Sequence, residues 1–456
     1  MDMPDEELVV LPGEVSQKVL VVGGGIAGIQ ASLDIADLGH EVVLVEREPC
    51  LGGTMARLSA TYPDLEHPVC LLRELMVQVL EHPRVKVLTG AEVDRVGGFP
   101  GVFEADLRLK ARRVRESTCN GCGKCWRECP VRVESEFDLG VGQRSAIYLP
   151  YSQAIPAVPV VDEHHCLHLQ GQSCLACVQV CPSGSIDFEQ PDSEFSGKFG
   201  AVVLATGLGV FDPVVCTKYG YGQHPDVITS LQLERMLASA GPTKGEAFRP
   251  SDGSRPKSIS FVCCVGSRDP QMGRSYCSRL CCPTVARQIL LLRRSCGEAQ
   301  FHVFYRDIVS GGKSIEELIG RAREECGAVY IRERVVDVAP VGKHLLVRAE
   351  NTWVESDLVV LAVGQVARPD TISLALNLGA TCDENGFVVE AQRQLRPVET
   401  TAYGVFVAGS ASGPKDIAES VAQGGAVAVK VGQFLRKLAS RGVSWDDLSN
   451  SNGELG

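Results

Sequence analysis

Two cysteine runs constrain this chain more than any other feature. The first reads Cys119-x2-Cys122-x2-Cys125-x3-Cys129-Pro130, and the second Cys166-x7-Cys174-x2-Cys177-x3-Cys181-Pro182. The first is the run that wraps a [4Fe-4S] cubane in bacterial ferredoxins, and the second is the same run with a longer first gap. Three close thiolates cap one face of a cubane while the last cysteine reaches across to the neighbouring cluster. That rule predicts one cluster on Cys119, Cys122, Cys125 and Cys181, and a second on Cys129, Cys166, Cys174 and Cys177. Tetrathiolate zinc sites also use CxxC pairs, but not this longer run twice over. His164, His165 and His168 beside Cys166 read as exposed loop residues rather than ligands. Residues 116–189 are therefore expected to form a ferredoxin-like unit set into a larger fold.

The chain has room for that larger fold. It has 456 residues, 45% of them hydrophobic and 22% charged, which is ordinary for roughly two to four globular domains. Its 19 cysteines point to metal or redox chemistry rather than to a disulfide framework, because nothing marks the chain for export. The first residues, Met1 to Glu7, are acidic, whereas a secretory leader starts basic and turns apolar. No apolar run is long enough to span a membrane, so the expected location is the cytoplasm. The net charge of −11 disfavours nucleic acid, whose phosphates need a basic face. It fits a protein that docks with protein partners.

Outside the cysteine runs, hydrophobic patterning predicts an α/β fold. After a lead-in at Leu8 to Leu11 and a turn at Pro12-Gly13, a strand over 18–22 meets Gly23-Gly24-Gly25-Ile26-Ala27-Gly28. A helix over 29–38 then stops at Gly39, and a second strand over 41–45 ends in Glu46 followed by Arg47. This is GxGxxG in its proper setting. Gly23 permits the tight turn, Gly25 lets the backbone approach a pyrophosphate, and Gly28 lets helix and strand pack closely. The helix N-terminus, with Ile26 and Ala27, offers amides to the phosphates. Glu46 is placed to accept hydrogen bonds from an adenosine ribose. Two later strands end in small-residue turns, at Ala205-Thr206-Gly207 and at Ala408-Gly409-Ser410. With the turn at Gly52-Gly53-Thr54, they resemble the flavin-contacting elements of two-dinucleotide-domain flavoproteins of the thioredoxin reductase type. The nucleotide expected is therefore FAD, and Ser410 stands where those proteins usually carry Asp.

A third cysteine group follows. A strand over 257–262 should open the second nucleotide domain with another glycine turn. The chain instead reads Cys263-Cys264-Val265-Gly266-Ser267-Arg268-Asp269, followed by Cys277, Cys281 and Cys282. Cys264, Cys277, Cys281 and Cys282 are candidates for a third cubane. Cys264 is preferred to Cys263 because neighbouring strand residues face opposite ways. A redox-active disulfide among these thiols is the competing reading. Cys50, Cys70, Cys216, Cys296, Cys326 and Cys382 are scattered and read as small hydrophobes. The domain plan expected is FAD-binding segments at 15–115, 190–255 and 367–440, the ferredoxin-like insertion at 116–189, a nucleotide-like domain bearing thiols at 256–366, and a polar tail at 441–456.

Taken together these motifs resemble the A subunit of the heterodisulfide reductases over about residues 17–435. The most specific stretches are Cys264 to Asp269, Tyr276-Cys277-Ser278-Arg279-Leu280-Cys281-Cys282 and Gly413-Pro414-Lys415-Asp416-Ile417. The resemblance implies an FAD that receives electrons and passes them along clusters to cysteine-rich and iron–sulfur partner subunits. It implies a donor such as hydrogenase, formate dehydrogenase or ferredoxin, and a homodimeric core within a larger complex. Methanogen members bifurcate electron pairs, while other relatives serve quinone-linked or sulfur-metabolism complexes. It places Lys415 near the isoalloxazine, where a cation favours reduced flavin, with Asp416 and Ile417 beside it. Arg268 and Arg279 flank the third thiolate group, placed either to offset its charge or to stand as solvated surface arginines. The family's N-terminal extension and C-terminal ferredoxin domain are expected to be absent. Two other functions compete with this reading: a stand-alone NAD(P)H-dependent disulfide reductase, and a flavin-free scaffold for clusters.

Overall fold

The computed structural model describes residues 15–441 and the short strands Leu8–Val9 and Val443–Ser444, which pair with each other antiparallel. The expected turn at Pro12-Gly13 and nearly all of the polar tail lie outside the described residues.

Val19–Val22, Val42–Glu46 and Val85–Thr89 are short runs rich in β-branched residues, and the first two are buried along almost their whole length. Such runs suit strands covered on both faces. They form one half of a seven-stranded sheet, continued on the other side by Ala201–Leu204, Val405–Val407, Arg396–Thr400 and Glu390–Gln392. The five strands from Val85–Thr89 at one edge to Val405–Val407 are parallel, and the last two pairings, to Arg396–Thr400 and on to Glu390–Gln392, are antiparallel. From Val19–Val22 the chain first builds outward in one direction and later returns to build in the other. The junction between Val19–Val22 and Ala201–Leu204 is thus a topological switch point, and ligands of open α/β sheets bind at the carboxyl ends of such strands.

Helices Ile26–Asp37 and Ile417–Arg441 cover one face of this sheet. They approach closely because Gly424 faces the first helix; a Cβ there would lie 2.9 Å from Ala27 O. An antiparallel meander of Ala91–Phe99, Val102–Leu109 and Ser193–Phe199 covers the other face with Phe103, Leu107 and Phe199. The first helix starts at Ile26, three residues before the position expected from sequence.

A second sheet of five parallel strands runs in the order Val227–Thr229, Leu358–Val363, Ser258–Val265, Gln300–Phe304, Val329–Ile331. Helices Ser230–Leu237, Cys281–Cys296 and Lys313–Glu324 pack on one side of it, and a second meander, Val335–Val341 to Trp353–Ser356, on the other. The strand at Val227–Thr229 pairs with Leu358–Val363, and the helix after it buries Leu233, Met236 and Leu237 in the same core. This nucleotide-like domain therefore starts about thirty residues before the boundary expected at 256. A three-residue strand carries too little pattern to announce which sheet it joins.

Between these parts sits the cysteine-rich insertion, closed at its base by a bridge between Val114 and Ile186. Two five-residue helices, Lys124–Glu128 and Ala176–Val180, carry the third cysteine of each run, Cys125 and Cys177. Arg112, 4% exposed, ties the insertion to the first sheet. Its guanidinium donates to Val158 O (3.2 Å) on the insertion side and to Pro49 O (2.6 Å) and Thr89 Oγ1 on the other.

Candidate functional site

A cavity of about 620 Å³ opens at the switch point of the first sheet. Its floor is the glycine turn. Gly23 adopts φ +116°, and any Cβ there would lie 2.2 Å from Ala205 O. Gly28 is equally constrained, since its Cβ would meet Gly23 O at 1.9 Å. Gly28 does not line the cavity; its part is to bring helix and turn together. Gly25 differs from both. A Cβ there would meet nothing within 4 Å, and the residue faces the cavity. It is the N-cap of the helix and caps no amide with a side chain. The first-turn N–H groups are thus presented at the cavity floor, as an anion site requires.

Glu46 forms the wall at the end of the second strand. It is buried and accepts hydrogen bonds from Gly24 N (2.7 Å) and Glu48 N (2.8 Å). Burial holds its carboxyl above the usual range, against the pull of those two amides. Gly53 and Thr54 line the same cavity, as do Ala205, Thr206 and Gly207. The Thr206 hydroxyl is shared with Thr371 Oγ1 at 2.7 Å. Arg47 stands half-exposed at the rim in an ion pair with Asp370 (2.7 Å). The insertion supplies part of the wall through Glu136, Phe137, Tyr148 and Tyr151. Tyr151 is fixed by donation to Leu51 O (2.7 Å), and Phe137 stacks on its ring.

Gly25, Thr54, Ala205 and Gly207 also border a second chamber of about 210 Å³. Ile26, Ala27, Gly409, Ser410, Lys415, Asp416 and Ile417 close it on one side, and Tyr62, Glu234, Ser278, Cys281 and Gln365 on the other. Ser410 donates to Lys415 O (3.4 Å), so its hydroxyl braces the loop. Lys415 Nζ donates to Ser412 Oγ (2.9 Å), and burial lowers its pKa. Asp416 and Glu419 form a reciprocal cap on the following helix, Glu419 N to Asp416 Oδ1 at 2.8 Å and Asp416 N to Glu419 Oε2 at 3.0 Å. Arg279 pairs with Glu419 (2.7 Å) and so ties the third thiol loop to this helix. An extended cavity of two joined parts, with bare amides at the waist, a carboxylate at one end and a lysine at the other, fits an FAD.

The two cysteine runs bring eight thiols around two small cavities. Cys119, Cys122, Cys125 and Cys181 line one, and Cys129, Cys166, Cys174 and Cys177 the other. Each run lends its fourth cysteine to the other cavity. Among the described residues, no three His, Cys, Asp or Glu side chains are grouped so as to hold one metal ion; the thiols instead surround a volume. Burial pushes Cys125 up to about 12 and Cys177 up to about 11, so iron binding would have to displace these protons. Cys181 is held below the usual thiol value: burial opposes this, but the Ser183 hydroxyl and nearby amides outweigh it. One of those amides, Ser185 N, donates to Cys181 Sγ at 3.3 Å. His165 is turned to Asp162 (2.8 Å) and His168 stacks on Phe188.

In the third group the strand continues through both adjacent cysteines to Val265, but its register shifts after Val262 and Cys264 takes φ +62°. Simple alternation does not run through this point. Cys263 packs into the apolar core with Phe261 and Val303, while Cys264 is half-buried. Both Cys263 and Cys264 lie close to Cys277, Cys281 and Cys282, and burial pushes the Cys264 thiol up to about 11 despite Arg268 and Arg306 nearby. Arg279 N donates to Cys277 Sγ at 3.3 Å. Arg268 is engaged by Asp307 (2.8 Å). None of the nineteen cysteines is paired in a disulfide. Sequence reasoning did not place Tyr151, Arg368 or Gln365 at this site; each lies far along the chain from the motifs it completes.

A family model described as FAD dependent oxidoreductase matches residues 18–95. The iron-sulfur A subunit of the CoB–CoM heterodisulfide reductase of Methanocaldococcus jannaschii is 43% identical over 435 residues, covering 92% of this chain and 65% of that protein. The A subunit of the H(2)/formate:CoB-CoM heterodisulfide,ferredoxin reductase of Methanococcus maripaludis is 40% identical, again covering 92% of this chain and 65% of that protein. The chain thus spans a little under two thirds of the length of these curated relatives. Among solved structures, T. acidophilum thioredoxin reductase superposes with a TM-score of 0.52 at 13% identity, covering 92% of this chain and 99% of that one. That likeness concerns the fold.

Proposed function

The chain belongs to the A-subunit family of the heterodisulfide reductases, and from that premise we propose that it converts paired electrons on an FAD into single electrons on iron–sulfur clusters. A flavin supplies this chemistry because it exchanges electrons in pairs or singly, whereas a cluster carries one at a time. The observation that carries the reading is adjacency. Cys281 of the third thiol group stands in the wall of the inner chamber, and Tyr148 of the insertion stands in the wall of the outer cavity. Ile147, the residue before Tyr148, lines the cavity of Cys129, Cys166, Cys174 and Cys177. Thiol sites therefore adjoin the flavin site from two directions.

The residues have separate tasks. Gly23, Gly25 and the amides of Ile26 and Ala27 bind the pyrophosphate, with Glu46 on the ribose. Thr54, Ala205, Thr206, Gly207, Gly409 and Ser410 shape the walls. Lys415 places a cation beside the ring and favours its reduced, anionic form. Cys119, Cys122, Cys125 and Cys181 hold one [4Fe-4S] cluster, Cys129, Cys166, Cys174 and Cys177 a second, and Cys264, Cys277, Cys281 and Cys282 a third. Electron bifurcation, with hydrogenase, formate dehydrogenase or ferredoxin as donor and cysteine-rich partner proteins as acceptors, is the function this arrangement would serve in a complex. A disulfide reductase needs two thiols beside the flavin. Among the described residues of the inner chamber's wall, Cys281 is the one cysteine, and its Sγ is turned to Ala362 O at 3.6 Å.

The test is iron, acid-labile sulfide and flavin content of anaerobically purified protein. About twelve iron per FAD is expected from three cubanes. About eight, with FAD retained, would return the third group to thiol or disulfide chemistry. Protein without flavin would end the reading.

A further inference from the structure

Arg57 ends the short 3-10 helix Gly53–Arg57 beside the outer cavity. Such a helix has three residues per turn, so Thr54 and Arg57 share one face. Both line the cavity, while Met55 and Ala56 between them are buried. The helix begins against Gly25: a Cβ on Gly53 would lie 3.1 Å from Gly25 Cα. Three arginines line this cavity, and two of them, Arg47 and Arg368, share the carboxylate of Asp370. Arg57 is the third. Its guanidinium makes no hydrogen bond or ion pair with any described residue, yet none of its nitrogens is sealed inside the protein. Its neighbours fix it without neutralising it. Arg57 O accepts from Arg235 Nη1 (3.0 Å), and the Arg57 guanidinium lies 5.5 Å from the centre of the Phe137 ring, which stacks on Tyr151 at 4.9 Å. Arg235 itself is engaged by Asp138 (2.9 Å). Burial draws the Arg57 pKa below its ordinary value, as expected of a cation taken partly out of water.

A charge withdrawn from water without a partner is costly, and in a cavity wall the missing partner is a ligand of opposite sign. The bare first-turn amides beside Gly25 already offer an anion a place, but they carry only partial charge. Glu46 and Glu48 stand in the same wall, so a phosphate group entering there also meets two carboxylates, and a full cation is needed to admit it. We propose that the Arg57 guanidinium binds the diphosphate of the FAD, supplying the positive charge that the helix amides lack. This rests on the proposed flavin site. A diphosphate is a double anion whose oxygens come in pairs, and the planar fork of a guanidinium matches such a pair with two N–H groups at once. Arg57 is therefore a binding residue for the anionic middle of the cofactor, and takes no part in the chemistry of its ring.

The experiment uses the full chain, purified anaerobically and then freed of flavin, as wild type, Arg57→Lys and Arg57→Met. FAD is titrated at low and at high salt, with iron content and circular dichroism as controls for folding. Arg57→Met should weaken FAD binding by about tenfold to hundredfold, the worth of a hydrogen bond to a charged group. It should also flatten the salt dependence, because one cation no longer meets the phosphates. Arg57→Lys keeps the charge without the fork, and should keep the salt dependence and fall between the other two in affinity. At saturating FAD the long-wavelength flavin band should be the same in all three. Unchanged affinity in Arg57→Met would overturn the proposal, leaving Arg57 as packing for Phe137 and the flavin reading intact. A shifted flavin band would overturn it as well, by placing the arginine beside the ring. Should Arg57→Met fail to fold, the wild type decides: FAD and inorganic pyrophosphate should each protect Arg57 from modification by phenylglyoxal, and protection by anything less than both would overturn the proposal. Wild-type chain that takes up no FAD would overturn the flavin reading and the proposal together.

Discussion

At the scale of single residues, two buried charges govern the inner chamber in different ways. Glu234 and Arg287 pair with side chains only 1% exposed. Glu234 also accepts from Ser59 N (2.8 Å) and Ser59 Oγ (2.6 Å), and Arg287 donates to Ala60 O. One carboxylate thus pins the flavin-side loop to two helices of the other domain. Removing one partner strands the other charge in a dry interior, which costs about 3–5 kcal/mol. Glu234→Ala should therefore lower stability by about that amount, read as the urea midpoint of the purified chain; a loss under about 1 kcal/mol would mean that water reaches the pair. Lys415 is different in that its charge serves the ligand. Lys415→Met should leave the fold in place and make the flavin midpoint more negative, because the reduced anion loses its cation. Burial already draws the lysine below its ordinary value of 10.5. The wild-type advantage therefore shrinks as pH rises, starting below that value. A midpoint difference that stays constant through the alkaline range would place Lys415 away from the ring. Neither partner of the Glu234–Arg287 bridge was legible in the sequence, where each is one charge on an amphipathic helix. Lys415 was legible only by resemblance.

At the scale of elements, the strand–turn–helix at the start of the chain was the easiest part to read, and its glycines differ in what they tolerate. Gly25→Ala adds a Cβ where the protein has open space, at a residue with extended backbone (φ −79°, ψ 179°). That variant should fold normally and lose FAD affinity by about tenfold or more, some 1.4 kcal/mol per decade, since the methyl occupies the path of the pyrophosphate. Gly28→Ala drives a Cβ to 1.9 Å from Gly23 O and should fail at folding instead. Circular dichroism with flavin titration separates the two; equal FAD affinity in Gly25→Ala and wild type would move the phosphates elsewhere. The cysteine runs were as legible as the glycines, because spacing alone predicts which thiols share a cavity, and Cys129 and Cys181 do cross over. The short strand Val227–Thr229 was not, since its membership of the second sheet is decided by partners more than a hundred residues away. Nor was the bulge at Cys264, where a left-handed residue replaces the alternation that a strand leads one to expect.

At the scale of the whole molecule, the parts are interleaved rather than strung together. The seven-stranded sheet takes strands from both ends of the chain and one from its middle, and the insertion lends Phe137, Tyr148 and Tyr151 to the cavity that this sheet supports. This is why the outer wall of the flavin site could not be foreseen: no local pattern says which loop will fold over which cavity. The same interleaving has a consequence in time. A chain emerges from the ribosome from its N-terminus, and domains fold as units when their residues are out. The insertion is closed by Val114 and Ile186, with every cysteine of both runs between them. The flavin sheet still lacks Val405–Val407 at that moment, because this strand lies more than two hundred residues further along the chain. Both cysteine cavities are therefore complete on a nascent chain whose other large cavity still lacks a strand of the sheet that supports it, so the two parts of the molecule come into being in a fixed order.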